Sequence, residues 1–273
     1  MTMDVDGVKR FLQTAGRDVG LYNACREYAF RFDGENDWDS YRNGEFRTLR
    51  ALIPNCRLVF DVGANRGDWI ELVLTLNPAL EIHAFEPAAA NFRVLAAKRL
   101  PEEVRINNVG LGECEEQRTL YQLGPHAASE LRSLYRRDGL EADMGLAVTD
   151  ATEQVRIVTL DGYCAAGGIT AIDYLKIDTE GHDLRVLRGA RGMIARRAVR
   201  FIQFEYGEPN IESRDLLKDF FGFFADTGYQ LYKITADGYL PQPRYSPHIE
   251  RFHYQNWIAV DAASGVGWAG AAG

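Results

Sequence analysis

The 273-residue sequence predicts an α/β fold: a mostly parallel sheet with helices on both faces. Three observations predict it. From Arg57 onward, short apolar and β-branched runs alternate with segments of helical spacing, the order in which strands and crossover helices follow one another in a parallel sheet. The run Leu58-Val-Phe-Asp-Val62 breaks at Gly63-Ala-Asn-Arg-Gly67 into Trp69, Leu72, Val73 and Leu76, so a strand feeds a tight glycine turn and then a helix. Carboxylates (Asp61, Glu86, Asp178, Glu205) stand at strand ends, the edge at which open α/β sheets bind ligands.

Composition bounds the rest. A chain of this length with 46% hydrophobic residues can build one large domain, with or without a short appendage. Its net charge of −8 argues against a nucleic-acid surface, which needs a basic footprint. Cys25, Cys56, Cys114 and Cys164 are far apart and form no Cys-x-x-Cys pair, which reads as free thiols in a reducing compartment. No apolar run approaches membrane-spanning length and no leader pattern opens the chain, so a cytoplasmic protein without membrane insertion is expected.

In chain order, residues 1–50 read as a helical appendage, from the spacing of Val8, Phe11 and Leu12, of Val19, Leu21, Tyr22, Cys25 and Tyr28, and of Phe46, Leu49, Leu52 and Ile53. It is either a lid over the site or a plain docking segment. The acidic stretch Asp33–Asp39 lacks the ligand order of a calcium loop. Residues 51–261 hold the main domain. After the first strand and helix come a second strand (81–86), a helix through Phe92, Val94, Leu95, Ala97 and Leu100, and a third strand (104–109) closed by Gly110-Leu-Gly112. The alternation then breaks between about 115 and 160. Short strands at 118–123 and 155–160 flank a polar stretch (124–150) with Ser129, Ser133, Arg132, Arg136 and Arg137, read as a β-hairpin insertion bordering the ligand site.

The fourth core strand, Ile172-Asp-Tyr-Leu-Lys-Ile-Asp178, puts Tyr174, Lys176 and Asp178 on one face, so Lys176 is a near-buried cation in need of a carboxylate. Asp178, Glu180, His182 and Asp183 crowd its end, Asp183 suiting the start of the next helix. A fifth strand ends at Glu205, followed by a helix (216–224), a strand (229–234) and a last strand (256–260). Residues 262–273 are small and are expected to be disordered.

The turn decides the ligand. Gly-x-x-x-Gly is not the Gly-x-Gly-x-x-Gly of dinucleotide sites, and Asp61 beside it repels a pyrophosphate but attracts an ammonium group. Glu86 at the second strand end suits a ribose diol. Two acids and a glycine turn so arranged resemble the S-adenosylmethionine site of class I methyltransferases. A nicotinamide-dependent oxidoreductase and a cofactor-binding subunit without catalysis are the competing readings.

Together, Phe60-Asp-Val-Gly-Ala-Asn-Arg-Gly67, Phe85-Glu-Pro87, Asn108-Val-Gly-Leu-Gly-Glu113, Thr159-Leu-Asp161, Leu175-Lys-Ile-Asp-Thr-Glu-Gly-His182 and Phe204-Glu205 resemble the FkbM family of S-adenosylmethionine-dependent methyltransferases, over roughly residues 45–260. The resemblance implies a Rossmann-like, seven-stranded sheet with the last strand antiparallel. It also implies methyl transfer to an oxygen of a small-molecule acceptor, such as a sugar or a polyketide-type natural product, with S-adenosylhomocysteine as product. Carried over residue by residue, Asp61, Gly63, Ala64, Asn65 and Gly67 surround the methionine part, Glu86 and Pro87 the ribose, and the stretch Asn108, Val109 and Gly110 the adenine, with Ser133 and Asp178 at the border. Asp178, Glu180 and Glu205 face the methyl group. A base for the acceptor hydroxyl is sought among His182, Asp178 and Glu205. Asp178 and Glu205 could share a Mg²⁺, but two acids do not define a metal site. Phe252, Tyr254, Tyr232 and Trp257 are candidate stacking partners or core, and His248 and His253 read as surface residues. Both a monomer and a homodimer are compatible with the chain.

Overall fold

The computed structural model describes residues 4–123, 132–137 and 148–264. In chain order its strands are β1 (Leu58–Val62), β2 (Glu81–Phe85), β3 (Val104–Asn107), β4 (Gly110–Leu111), β5 (Glu116–Leu123), β6 (Arg132–Ser133), β7 (Val148–Val158), β8 (Ile172–Ile177), β9 (Val199–Tyr206), β10 (Tyr229–Ile234), β11 (Tyr239–Pro241) and β12 (Gln255–Asp261).

The main sheet runs β11-β10-β12-β9-β8-β1-β2-β3. From β3 to β9 the neighbours are parallel, and β12 is antiparallel to both β9 and β10. The expected antiparallel last strand is therefore present, but among the described residues the sheet has eight strands rather than seven. The extra one is β11, three residues paired antiparallel to β10 across a turn closed by Thr235 Oγ1 and Gly238. Tyr239-Leu-Pro241 is too short to carry an alternating pattern.

Strand alternation divides the core. Phe60, Val62, Leu175, Ile177, Ile202, Phe204 and Trp257 face the helices Leu160–Gly167, Asp183–Gly189 and Leu217–Phe224. Val59, Tyr174, Phe201, Ile258 and Val260 face the other way, toward the helices Glu45–Leu52 and Asp68–Leu76. Trp257 and Tyr232 belong to these cores.

The insertion is larger than a hairpin. β5 pairs antiparallel with β6 and β7, and β7 pairs parallel with β4, making a four-stranded sheet beside the carboxyl edge of the main one. Ser129 and most of the 124–150 stretch lie outside the described residues, as does the tail from 265. Ala262–Ser264 form a 3-10 turn where disorder was expected.

The leading segment folds as two helices, Val5–Thr14 and Val19–Asp33, each started by an aspartate (Asp4, Asp18) whose side chain accepts a backbone N–H in the first turn. Neither buries a residue. The chain after them does approach the site: Glu35 pairs with Gln255, and Asn36 exchanges hydrogen bonds with Tyr254. Among the described residues no helix is long and apolar enough to cross a membrane, and the four cysteines are unpaired.

Candidate active site

The site is built where β1, β2, β8 and β9 end side by side. At β1 the chain turns through Gly63 at φ +88, and a Cβ there would stand 1.8 Å from the carbonyl oxygen of Asp178. Only glycine allows the ends of β1 and β8 to approach this closely. Gly67, at φ +84, begins the next helix, and its missing Cβ leaves room for Leu95. Asn65 N–H donates to Glu86 Oε2 (2.8 Å) and Ala88 N–H to Glu86 Oε1 (2.8 Å), so the turn fixes that carboxylate with one lone pair used on each oxygen. Burial, offset in part by these bonds, raises Glu86 to a pKa of about 7.

Register places Asp61, Lys176 and Gln203 in one row across β1, β8 and β9. Lys176 is buried, and its Nζ lies 2.8 Å from Asp178 Oδ2. Burial alone would lower its pKa, but Asp178, Asp61, Glu45 and Glu205 together raise it. Gln203 bridges Glu45 Oε1 and Asn256 Oδ1, both at 2.9 Å. The helix Glu45–Leu52 thus contributes a buried acid to the site from outside every motif noted in the sequence. Asp61 is fully buried, and neither of its oxygens has a hydrogen-bond partner among the described residues; burial raises it to about 6. Asp183 accepts from Thr179 Oγ1 (2.7 Å) and from Glu205 N–H (3.1 Å), which ties the ends of β8 and β9 together. It is thus an anchor between strand ends rather than the helix cap its position suggested.

Two cavities open at this edge. The first, about 220 Å³, is lined by Gly63, Asn65, Glu86, Pro87, Asp178, Glu180 and His182, with Gly110, Leu111, Arg132 and Leu134 from the insertion side. The second, about 290 Å³, is lined by Asp178, Glu180, Asp183, Glu205, Glu208 and Asn210, with Trp38, Phe252 and Tyr254 as its aromatic wall. Asp178 and Glu180 belong to both. Glu180 sits at φ +52, a costly conformation for a residue with a Cβ, and is held by Arg137 Nη1 at 2.8 Å. Burial and the neighbouring Asp178 raise it to about 7. Burial and Asp178 also raise Glu205, whose Oε1 accepts from the Tyr254 hydroxyl at 2.9 Å.

Several expected residues stand elsewhere. His182 is neither exposed nor a ready base: it is buried, its Nδ1 is 3.0 Å from the Tyr135 hydroxyl, and burial, with Arg118 and Arg185, lowers its pKa to about 3. An imidazole that protonates only in strong acid is a weak proton acceptor at neutral pH. Ser133 holds the Glu180 carbonyl through its Oγ (2.9 Å) instead of lining the first cavity. Ala64 and Val109 pack in the core. Asn108 Nδ2 braces the Glu86 and Pro87 carbonyls, so of the expected stretch Asn108, Val109 and Gly110 only Gly110 reaches the wall, with Leu111 beside it. Gly67 and Asp61 lie behind that wall. The place of a shared Mg²⁺ is taken by the Lys176 ammonium on Asp178, and among the described residues no three His, Cys, Asp or Glu side chains cluster as metal ligands. His253 is not a plain surface residue, since its Nδ1 meets buried Glu35 at 2.8 Å.

The family model described as the methyltransferase FkbM domain matches residues 61–231, from the β1 acid to the middle of β10. The chain belongs to the FkbM methyltransferase family. Among its relatives, 31-O-demethyl-FK506 methyltransferase FkbM of Streptomyces tacrolimicus is 35% identical over 152 residues, 48% of this chain and 58% of that protein. AMB antimetabolite synthetase AmbE of Pseudomonas aeruginosa is 27% identical over 165 residues, 50% of this chain and 8% of that protein. The chain thus spans less than two thirds of either relative. Among solved structures, methyltransferase FkbM from Methylobacillus flagellatus KT aligns at a TM-score of 0.44 with 15% identity, over 75% of this chain and 44% of that one. The matched FkbM segment includes both acids of the turn, the whole insertion and the Asp178–Asp183 cluster, while the Glu45 helix and Trp38 lie before it.

Proposed function

We propose that this FkbM-family chain is an S-adenosylmethionine-dependent O-methyltransferase acting on a hydroxyl of a small molecule, a sugar or a polyketide-type natural product. The observation that carries the proposal is the pair of cavities with Asp178 and Glu180 as common wall, one cavity bounded by the glycine turn and Glu86, the other by carboxylates and aromatic rings. The name of the Streptomyces relative, an O-demethyl-compound methyltransferase, supports the same class of reaction.

The residues present fit the cofactor. Glu86 keeps a free lone pair on each oxygen for a ribose diol, the turn at Gly63 has no Cβ to obstruct a ligand, and the unpartnered carboxylate of Asp61 supplies negative charge behind the turn for an ammonium group. When bound, the cofactor supplies an electrophilic methyl carbon on a sulfonium. The protein's task is to align the acceptor oxygen with it and to exclude water. Asp178, ion-paired with Lys176, orients the acceptor at the junction. Glu180 takes the hydroxyl proton, because it faces both cavities and its pKa of about 7 matches a base working near neutrality. Glu205 and Tyr254 fix the far side of the acceptor.

The test is methyl transfer from labelled S-adenosylmethionine to a panel of glycosides and hydroxylated macrocycles, with products read by mass for one added CH2. Transfer by the wild type, lost in Asp178→Asn and reduced roughly 10²-fold or more in Glu180→Gln with S-adenosylhomocysteine binding retained, supports the proposal. Full activity in both variants refutes the assigned roles.

A further inference from the structure

Asn210 lies on the wall of the second cavity and is 2% exposed. Its side-chain oxygen is identified by its partner, since the Gly207 N–H at 3.0 Å can only donate. The amide nitrogen is therefore the atom left over, and Nδ2 has no partner among the described residues. A buried NH2 group without an acceptor costs free energy that burial elsewhere must offset, which marks it as a group awaiting a ligand. Arg137 Nε, equally buried, is a second donor without a partner.

The charge around these donors is one-sided. Among the described residues, five carboxyl groups (Asp178, Glu180, Asp183, Glu205, Glu208) line the cavity against the one cation Arg137. Arg137 is already engaged, with Nη1 on Glu180 and Nη2 on Glu208. Among the described residues no further lining cation remains to pair with a phosphate or carboxylate. Trp38, 71% exposed at the lip, and Tyr254, its ring 5.8 Å away, give the mouth an apolar face.

We infer that the acceptor carries no negative charge and sets an oxygen lone pair, of a hydroxyl, ether or carbonyl, on Asn210 Nδ2. The inference rests on the proposed function and narrows its substrate class to neutral or amino-bearing hydroxyl compounds. The reaction that supplies this substrate must accordingly release it from any phosphate or nucleotide carrier before methylation.

The experiment is ligand-observed NMR titration of the full chain, saturated with S-adenosylhomocysteine, with methyl glucoside, glucosamine and glucose-6-phosphate. Methyl glucoside or glucosamine should bind, glucose-6-phosphate should bind at least tenfold more weakly, and Asn210→Ala should weaken the neutral or amino compound about fivefold, the loss of one hydrogen bond. Asn210→Asp retains an oxygen for Gly207 N–H and should also lose binding, while unchanged S-adenosylhomocysteine affinity shows that it is folded. Glucose-6-phosphate binding as tightly as the other two, or no Asn210-dependent binding of either, overturns the inference. Failure of S-adenosylhomocysteine to bind the wild type would instead overturn the functional reading beneath it.

Discussion

Lys176 Nζ lies 2.8 Å from Asp178 Oδ2, at the point where the two cavities meet. The lysine is buried beneath Trp69, whose ring centroid is 5.9 Å away, and it is the cation against which Asp61, Glu45, Asp178 and Glu205 are balanced. A buried charge set of this kind stabilises only as a complete set.

Replacing Lys176 with methionine should therefore destabilise the fold by about 3–5 kcal/mol, because several buried acids lose their counter-charge together. Urea unfolding measures it. A loss under about 1 kcal/mol would mean that water, not Lys176, solvates these carboxylates.

Gly63 and Gly67 share a positive φ but differ in what surrounds them. A Cβ at position 63 meets a backbone carbonyl, whereas at 67 it meets the movable end of Leu95. Gly63→Ala should cost more than about 2 kcal/mol and abolish cofactor binding, with Gly67→Ala clearly milder. Equal thermal shifts in the two variants would contradict this.

Much of this was legible in the sequence because period and turn chemistry are local. The Asp61–Gly67 turn, the Glu86 strand end and the Lys176–Asp178 pair all follow from alternation and glycine spacing. Glu45 and Trp38 were not legible, since each reaches the site through a contact between distant segments, Glu45 to Gln203 and Asn36 to Tyr254; Asn210 makes a local bond to Gly207 N–H but lies beyond the last motif. His182 shows the opposite failure. Its residue type suggested a base, but burial in the tertiary structure decided its proton affinity.

Glu180, raised to about 7 by burial and by Asp178, gains its basic form as pH rises. Methyl transfer should climb between about pH 6 and 8 and then level off. In Glu180→Gln the rise should vanish. A flat wild-type profile, or the same rise in the variant, would move the base elsewhere.

Glu35 anchors the segment that carries Trp38. Its buried carboxylate meets Lys233 at 2.6 Å and His253 at 2.8 Å, with Arg251 at 3.5 Å. Glu35→Ala leaves Lys233 buried without its partner and frees the Asn36–Trp38 wall. It should cost about 3–5 kcal/mol and raise the acceptor KM while leaving S-adenosylhomocysteine affinity intact. Steady-state kinetics alongside calorimetry separate the two effects; an unchanged KM would detach Trp38 from acceptor binding.

The central claim is that the cavity between the glycine turn and Glu86 holds S-adenosylmethionine. Isothermal titration with S-adenosylhomocysteine tests it most directly. The expected result is one site per chain, weakened at least about tenfold in Glu86→Ala, where charge-assisted hydrogen bonds are lost, and unchanged in Asn210→Ala. No binding by the wild type, or binding indifferent to Glu86, would contradict the account.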